Sequence, residues 1–323
     1  MPEPRSHDAT DVEERGEVTD QGRETGAGAG PGAGTASPAG GPGARGVWPR
    51  LRTRASFWVP TGALVVLGAV ALAPGFFATL GGGDGDPRVC LLARSVQASA
   101  TGHPFGFDVQ GCDVFANVIY GTRASLSVGL LATAVALVVA LVVGTAAGLR
   151  DGLLDTALSR LTDVFLGFPF LVGALVVLTS LGDRSVVSVA LVLGLFAWPT
   201  LARLVRSSVR SVRGAEFVAA SRAMGISATR TVLLHVVPNS LGPVLAIATI
   251  MVGQVIVAES TLTFLGVGLE APSISWGRQL AEAQSRVSSA PHLLLWPSLF
   301  LTVTVLALIS LGDVLRDVLD PRS

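Results

Sequence analysis

Lysine is absent from the chain: all 23 basic residues are arginine. A Walker A loop sets a lysine on the nucleotide phosphates, so the sequence holds no standard P-loop, and any ATP hydrolysis it depends on belongs to another polypeptide. Charge of either sign is scarce. Only 14% of residues are charged and the net charge is zero, which removes the electrostatic case for nucleic acid as a partner. Cysteine is limited to Cys90 and Cys112, and histidine to four residues. With His103 the one imidazole near that pair, two thiols and one histidine make a thin basis for a metal site. The residues present assign no catalytic, cofactor-binding or metal-ligating set.

What the chain has is apolar length. Half of its 323 residues are hydrophobic, and a mean hydropathy of +0.60 belongs to an integral membrane protein. A span needs about 20 apolar residues, and six segments qualify or nearly so, at about 57–80, 124–149, 163–181, 186–204, 241–265 and 292–312. The expected fold is all-α and polytopic, with six transmembrane helices and both termini cytoplasmic. Arginine placement sets that orientation by the positive-inside rule. Arg45, Arg50, Arg52 and Arg54 precede the first span, and Arg206, Arg210, Arg213, Arg222 and Arg230 lie between the fourth and fifth. Arg88, Arg94, Arg123 and Arg184 are the minority left outside. The first span starts near residue 57 and is too long for the h-region of a signal peptide.

Residues 1–50 read as a disordered tail, acidic and then Gly, Ala and Pro-rich, with too little apolar surface to offset the entropy of ordering. An inert tail and a regulatory one are both open. Residues 51–123 hold the first span and an outer loop, and residues 124–323 the remaining spans with a polar loop at 205–240.

Within that loop, residues 214–238 (GAEFVAASRAMGISATRTVLLHVVP) form an arginine-bearing stretch between two apolar spans. The pattern predicts a short helix from Ala215 to Met224, with Glu216 in the first turn, where an acid suits the helix dipole, and Gly225 at its stop. Phe217, Ala220, Ser221 and Met224 share one face at i, i+3, i+4, i+7. Such a face fits a groove on a partner protein or the surface of a bilayer; spacing does not separate the two.

Glu216, residues 219–225 (AASRAMG) and, nine residues on, 235–239 (HVVPN) resemble the EAA loop of permease subunits in bacterial ABC importers. The match is nearer to the dipeptide, oligopeptide and nickel branch, in its second permease. That resemblance implies a helix, carrying Glu216, Phe217, Ala219, Ala220, Ser221, Met224 and Gly225, that docks on an ATP-hydrolysing subunit. One departure stands out. Ala219, Ala220 and Ser221 occupy the family's Glu-Ala-Ala positions, leaving Glu216 one turn earlier as the nearest carboxylate.

The outer loop carries a second match. Residues 103–114 (HPFGFDVQGCDV) and 119–123 (IYGTR) are similar to the branch's G-T-D-x-x-G-R-D and I-Y-G-x-R signatures, with Phe107 and Cys112 as departures. Asp108 is expected to cap the following helix, and Gly111 and Gly121 to make tight turns. Cys90 and Cys112 both fall in this loop, where thiols can oxidise. A disulfide closing it would contribute about 3 kcal/mol on the chain-entropy account; two unpaired thiols are the alternative.

Glu259 is the one carboxylate inside an apolar stretch, and an intramembrane ionisable group is by default a functional candidate. Residues 259–266 (ESTLTFLG) also match the family's E-x-S-L-S-F-L-G, so a hydrogen-bonded structural role stands beside a place on the pathway or pore mouth. The same pair of readings holds for Trp276, in a P-x-x-x-W-G match from Pro272; an interfacial anchor is its alternative. Pro169, Pro199 and Pro297 lie in spans and are expected to bend them. Residues 311–322 again match the family's ending.

The resemblance implies a transport subunit in a bacterial cell membrane, with ATP only on partner subunits. It implies a sister permease, two ATP-binding subunits and an extracytoplasmic substrate-binding protein around it in the bilayer, and peptides, nickel or another small solute as cargo. The competing class is a self-sufficient ion-coupled carrier or membrane enzyme, which needs charged midplane sites or a converging catalytic set.

Overall fold

The computed structural model describes residues 55–83 and 85–319. The tail at 1–50 and the arginines at 45, 50, 52 and 54 lie outside the described residues. All regular structure among the described residues is helical, apart from three isolated bridges in one loop. The helices are α1 (Ala55–Leu72), α2 (Pro74–Thr79), α3 (Val114–Leu149), α4 (Leu153–Gly167), α5 (Phe170–Ser180), α6 (Val186–Arg213), α7 (Glu216–Ala223), α8 (Ala228–Thr231), α9 (Val237–Phe264), α10 (Trp276–Ala283) and α11 (His292–Leu319). A π-helical turn, Val232–Val236, joins α8 to α9.

Among the described residues, four helical stretches are long and apolar enough to cross a membrane: Val114–Leu149, Val186–Arg213, Ala228–Phe264 and His292–Leu319. The pair α4 and α5 makes a fifth if it counts as one broken span, and Ser56–Leu72 is a shorter apolar helix. The expected continuous span at 163–181 is therefore corrected. It is bent by 82°, because Pro169 cannot donate to the helical ladder and holds Phe168 in extended backbone, ψ 130°. Pro199 and Pro297 stay inside their helices.

The second span also starts earlier than expected. Asp113 accepts from the Phe115 N–H at 2.8 Å and caps α3 at Val114. Asp108, the expected cap, instead closes a turn by accepting from Gln110 and Cys112 N–H. Gly121 lies inside α3 and makes no turn. A Cβ there would stand 2.7 Å from Gln279 Nε2, so glycine is what lets α10 approach.

Packing centres on α3 against α6. Ala132, Ala136 and Ala140, four residues apart, are fully buried on one face of α3. Gly144 continues that row; a Cβ there would lie 2.7 Å from the Ala202 carbonyl oxygen, and one at Gly194 would lie 2.7 Å from that of Ala132. Small residues thus let two long helices touch almost backbone to backbone, as membrane helices commonly pack. Helices α9 and α11 pair beside them, and α11 also contacts α1.

The two ends of this bundle differ. One end holds the loop between α2 and α3, α10 and the start of α6. Cys90 and Cys112 are disulfide-bonded there, and Leu91 donates to the Gly111 carbonyl. At the opposite end lie α7, α8 and the turn between α3 and α4.

Candidate functional site

Arg203, Arg206, Arg210 and Arg213 recur every three or four residues and so share one face of α6 as it leaves the bundle. Three carboxylates meet them. Asp155, in the first turn of α4, accepts from Arg206 Nε at 2.5 Å and Nη2 at 2.8 Å and from Arg210 Nη2 at 2.6 Å. Asp151, in the turn before α4, accepts from Arg213 Nη2 at 2.6 Å and Arg210 Nη2 at 3.3 Å. Asp163 accepts from Arg203 at 2.6 Å, and Arg213 also reaches the Leu149 carbonyl at 3.1 Å. The end of α6 is thereby clasped to the end of α3 and to α4.

Exposure ranks these contacts. The Arg203–Asp163 pair is open to solvent on both sides, and such pairs contribute about 0–1 kcal/mol. The Asp155 side chain keeps only 12% of its surface, and charge-assisted hydrogen bonds there are worth about 1.5–3 kcal/mol each. Asp155 is the centre of the clasp.

Helix α7 follows directly, after Gly214 and Ala215. Met224 donates to the Ala220 carbonyl, and Ile226 to that of Ser221. With Gly225 at φ +77°, this is the bond that closes a Schellman stop. The eight-residue helix turns Val218 into the same core as Val205, Val209 and Val236. Phe217, Met224, Glu216, Ala219 and Ala220 are exposed. Ser221 differs from the expected face: it is buried beside Val218, with its hydroxyl donating to the Phe217 carbonyl at 2.8 Å. The outward apolar surface is therefore Phe217, Ala220 and Met224, held out by an inward Val218 and Ser221.

At the other end, Glu259 and Trp276 come together in the interior. Glu259 has no exposed surface. Its carboxylate accepts from Thr263 Oγ1 at 2.9 Å, Ser260 Oγ at 3.3 Å and Ser125 Oγ at 3.5 Å. Ser125 in turn accepts from the Trp276 backbone N–H, and the Trp276 indole donates to the Val118 carbonyl at 3.1 Å. Trp276 is also fully buried, so it is no interfacial anchor. Neither side chain faces an opening of the chain. Together they bind α9 and α10 to α3, and the structural reading of both residues is the one the geometry carries.

This hydroxyl cage makes a prediction. Glu259→Ala would strand three hydroxyls and open a void in the interior, at about 1–3 kcal/mol for each buried polar group left without a partner, whereas Glu259→Gln keeps one acceptor. Membrane abundance and thermal stability are expected to fall in the order wild type, Gln, Ala. Equal stability of all three would show that the cage contributes nothing.

In the same end, burial pushes the Asp108 carboxyl above the usual carboxylate range, partly countered by the Cys112 and Gln110 N–H groups. Among the described residues, no group of three or more His, Cys, Asp or Glu is placed to hold a metal ion.

A helical bundle with several membrane-length helices and an exposed helix on the connection between two of them defines a multi-pass helical protein of the membrane. Residues 125–323 match the family described as binding-protein-dependent transport system inner membrane component, and the chain belongs to it. It is 38% identical over 231 residues to the oligopeptide transport system permease protein OppC of Salmonella typhimurium, covering 72% of this chain and 76% of that one. It is 36% identical over 230 residues to the dipeptide transport system permease protein DppC of Alkalihalophilus pseudofirmus, covering 71% and 75%. The glutathione transport system permease protein GsiD of Pectobacterium atrosepticum is 32% identical over 229 residues, covering 71% and 76%. A solved structure of the MetNI methionine ABC transporter, inward facing, shares the fold with a TM-score of 0.50 at 21% identity, over 62% of this chain and 95% of that one. The chain is thus an inner-membrane subunit of an ABC importer, not an enzyme, and works with ATPase and substrate-binding partners. That membership sets aside the self-sufficient carrier and the membrane enzyme.

The Asp151, Asp155 and Asp163 set was missed in the sequence because α4 and α6 extend beyond the apolar segments. The signal was there: arginines at one-face spacing after residue 202, and acids at 151, 155 and 163 just ahead of an apolar run.

Proposed function

We propose that the chain is the second permease of an ATP-driven importer of short peptides. It pairs with a sister permease to line the pathway, receives peptide from an extracytoplasmic binding protein, and is driven by two ATP-hydrolysing subunits that carry all the bound ATP. The bent pair and the short α1 complete six spans with both termini cytoplasmic, which puts α7 and the clasp inside and the disulfide-bearing loop outside. The relatives named for dipeptides, oligopeptides and glutathione support the cargo class.

The observation that carries the reading is the outward face of α7. Phe217, Ala220 and Met224 stand exposed on a helix fixed by Val218, Ser221 and the stop at Gly225, at the end of a clasped α6. A partner pressing on that face moves α6, and α6 is the main neighbour of α3. Alternating access then follows as a coupling free energy between nucleotide state and pathway state.

Two measurements test it. The purified chain alone is expected to bind no ATP, and co-expression with sister permease and ATPases to give a stable complex that takes up labelled dipeptide when the binding protein is added. Saturable ATP binding by the isolated chain, or a complex that assembles yet carries no peptide, would refute the assignment.

A further inference from the structure

Two adjoining cavities open at the end of the bundle that bears the disulfide. The larger, about 820 Å³, is bordered by Asp86, Arg88, Tyr120, Arg123 and Ser127. The smaller, about 380 Å³, is bordered by Asp108 and Glu282. They share Pro87, Arg88, Pro272 and Ile274, so the wall between them is common.

Arginine on this face runs against the positive-inside rule, and several of these arginines are accounted for inside the fold. Arg184 pairs with Glu270 and donates to the Gly266 carbonyl. Arg278 pairs with Glu282 at 3.0 Å. Arg94 lies over the Phe107 ring. The guanidiniums of Arg88 and Arg123 have no hydrogen-bond or ion-pair partner among the described residues, and both border the larger cavity. Tyr120, the one tyrosine of the chain, brings a phenol to the same wall.

Two guanidiniums and a phenol outnumber the one carboxylate on that wall among the described residues, Asp86, whose Oδ1 already accepts from the Arg88 backbone N–H at 2.9 Å, so donors remain for a further carboxylate. The carboxylates across the shared wall are engaged within the fold, Asp108 by Gln110, Cys112 and Asn117 and Glu282 by Arg278. A short peptide carries a free carboxylate at its C-terminal end. We propose that this outer cleft is a recognition site for the free carboxylate end of a short peptide, held by Arg88 and Arg123 with Tyr120 beside them. This inference rests on the peptide-importer reading and adds to it a site on the permease itself.

The test uses the assembled importer in nanodiscs, without its binding protein, titrated calorimetrically with Ala-Phe and with the C-terminal amide of Ala-Phe. The free acid is expected to bind about tenfold more tightly than the amide, and Arg88→Gln with Arg123→Gln to remove that preference. Both side chains are exposed, so assembly is expected to survive; Arg88→Gln in its loop decides alone if Arg123→Gln does not assemble. No saturable binding of the acid overturns the proposal, as it would if the sister permease filled the cleft, and so does an acid preference equal in wild type and variant. Uptake of Ala-Phe with the binding protein present separates the two claims. Normal uptake without acid-selective binding removes this site alone; no peptide uptake at all removes the importer reading and this site with it.

Discussion

Replacing Asp155 by asparagine is expected to lower peptide uptake per transporter about tenfold or more, with a smaller loss of protein from the membrane. The carboxylate accepts three bonds from Arg206 and Arg210, and asparagine removes the charge that holds two guanidiniums side by side. Losing even 1.4 kcal/mol of that set corresponds to a factor of ten in the clasped population. The clasp joins α6 to α4 and to the turn after α3, so an unclasped α6 would yield when α7 is pushed and would not carry the motion into the bundle. Asp155→Arg should be worse, since it adds a third positive charge. Adding Arg206→Asp to Asp155→Arg should recover part of the loss, incompletely because Arg210 still faces the new arginine. ATPase activity and uptake, measured per assembled complex, check this. Uptake equal to wild type in Asp155→Asn would mean that the clasp is ornament to the coupling path, and an Asp155→Arg defect untouched by Arg206→Asp would mean that the pairing is not what matters.

The sequence made the class of fold legible through apolar length, which is a property of segments and needs no knowledge of neighbours. The helix over Glu216–Ala223 was equally local: a first-turn acid, a glycine stop, and eight residues between. Errors arose where the outcome depended on something distant. Asp108 and Asp113 are both good capping residues, and only the folded loop decides that Asp113 meets Phe115 N–H while Asp108 is used up by its own turn. Ser221 was placed on the outward face by helical spacing, yet Val218 next to the same stripe is the residue that finds the core, which rotates the helix and carries Ser221 inward. The clasp was hidden for a related reason. Hydropathy ends a span where arginine begins, whereas α6 continues to Arg213 with its four guanidiniums paired to Asp151, Asp155 and Asp163, two of them sharing Asp155. Glu259 illustrates the limit of reading burial from sequence: an isolated acid in an apolar run is a functional candidate until Ser125, from a helix more than a hundred residues away, is seen to complete its cage.

Substitutions on α7 itself should uncouple the transporter without unfolding it. A Cβ at Gly225 would meet nothing within 4 Å, but the residue sits at φ +77°. Gly225→Val therefore costs left-handed strain and no clash, about 1–2 kcal/mol, and relief of that strain unwinds the stop that aims the helix. Ala220 is exposed between Phe217 and Met224, so Ala220→Trp adds bulk outside the fold, on the surface proposed to meet the ATPase. Both variants are expected to reach the membrane at near wild-type abundance and to lose substrate-stimulated ATPase activity and uptake together, by about tenfold for Ala220→Trp, a loss of about 1.4 kcal/mol in docking. Val218→Asp is the contrasting change: it puts an unpaired charge into the core shared with Val209 and Val236, and there abundance should fall first. If Ala220→Trp and Gly225→Val transport normally at equal abundance, the exposed face of α7 is not where the ATPase docks. A helix resting on the lipid surface would then be the better account of Phe217 and Met224.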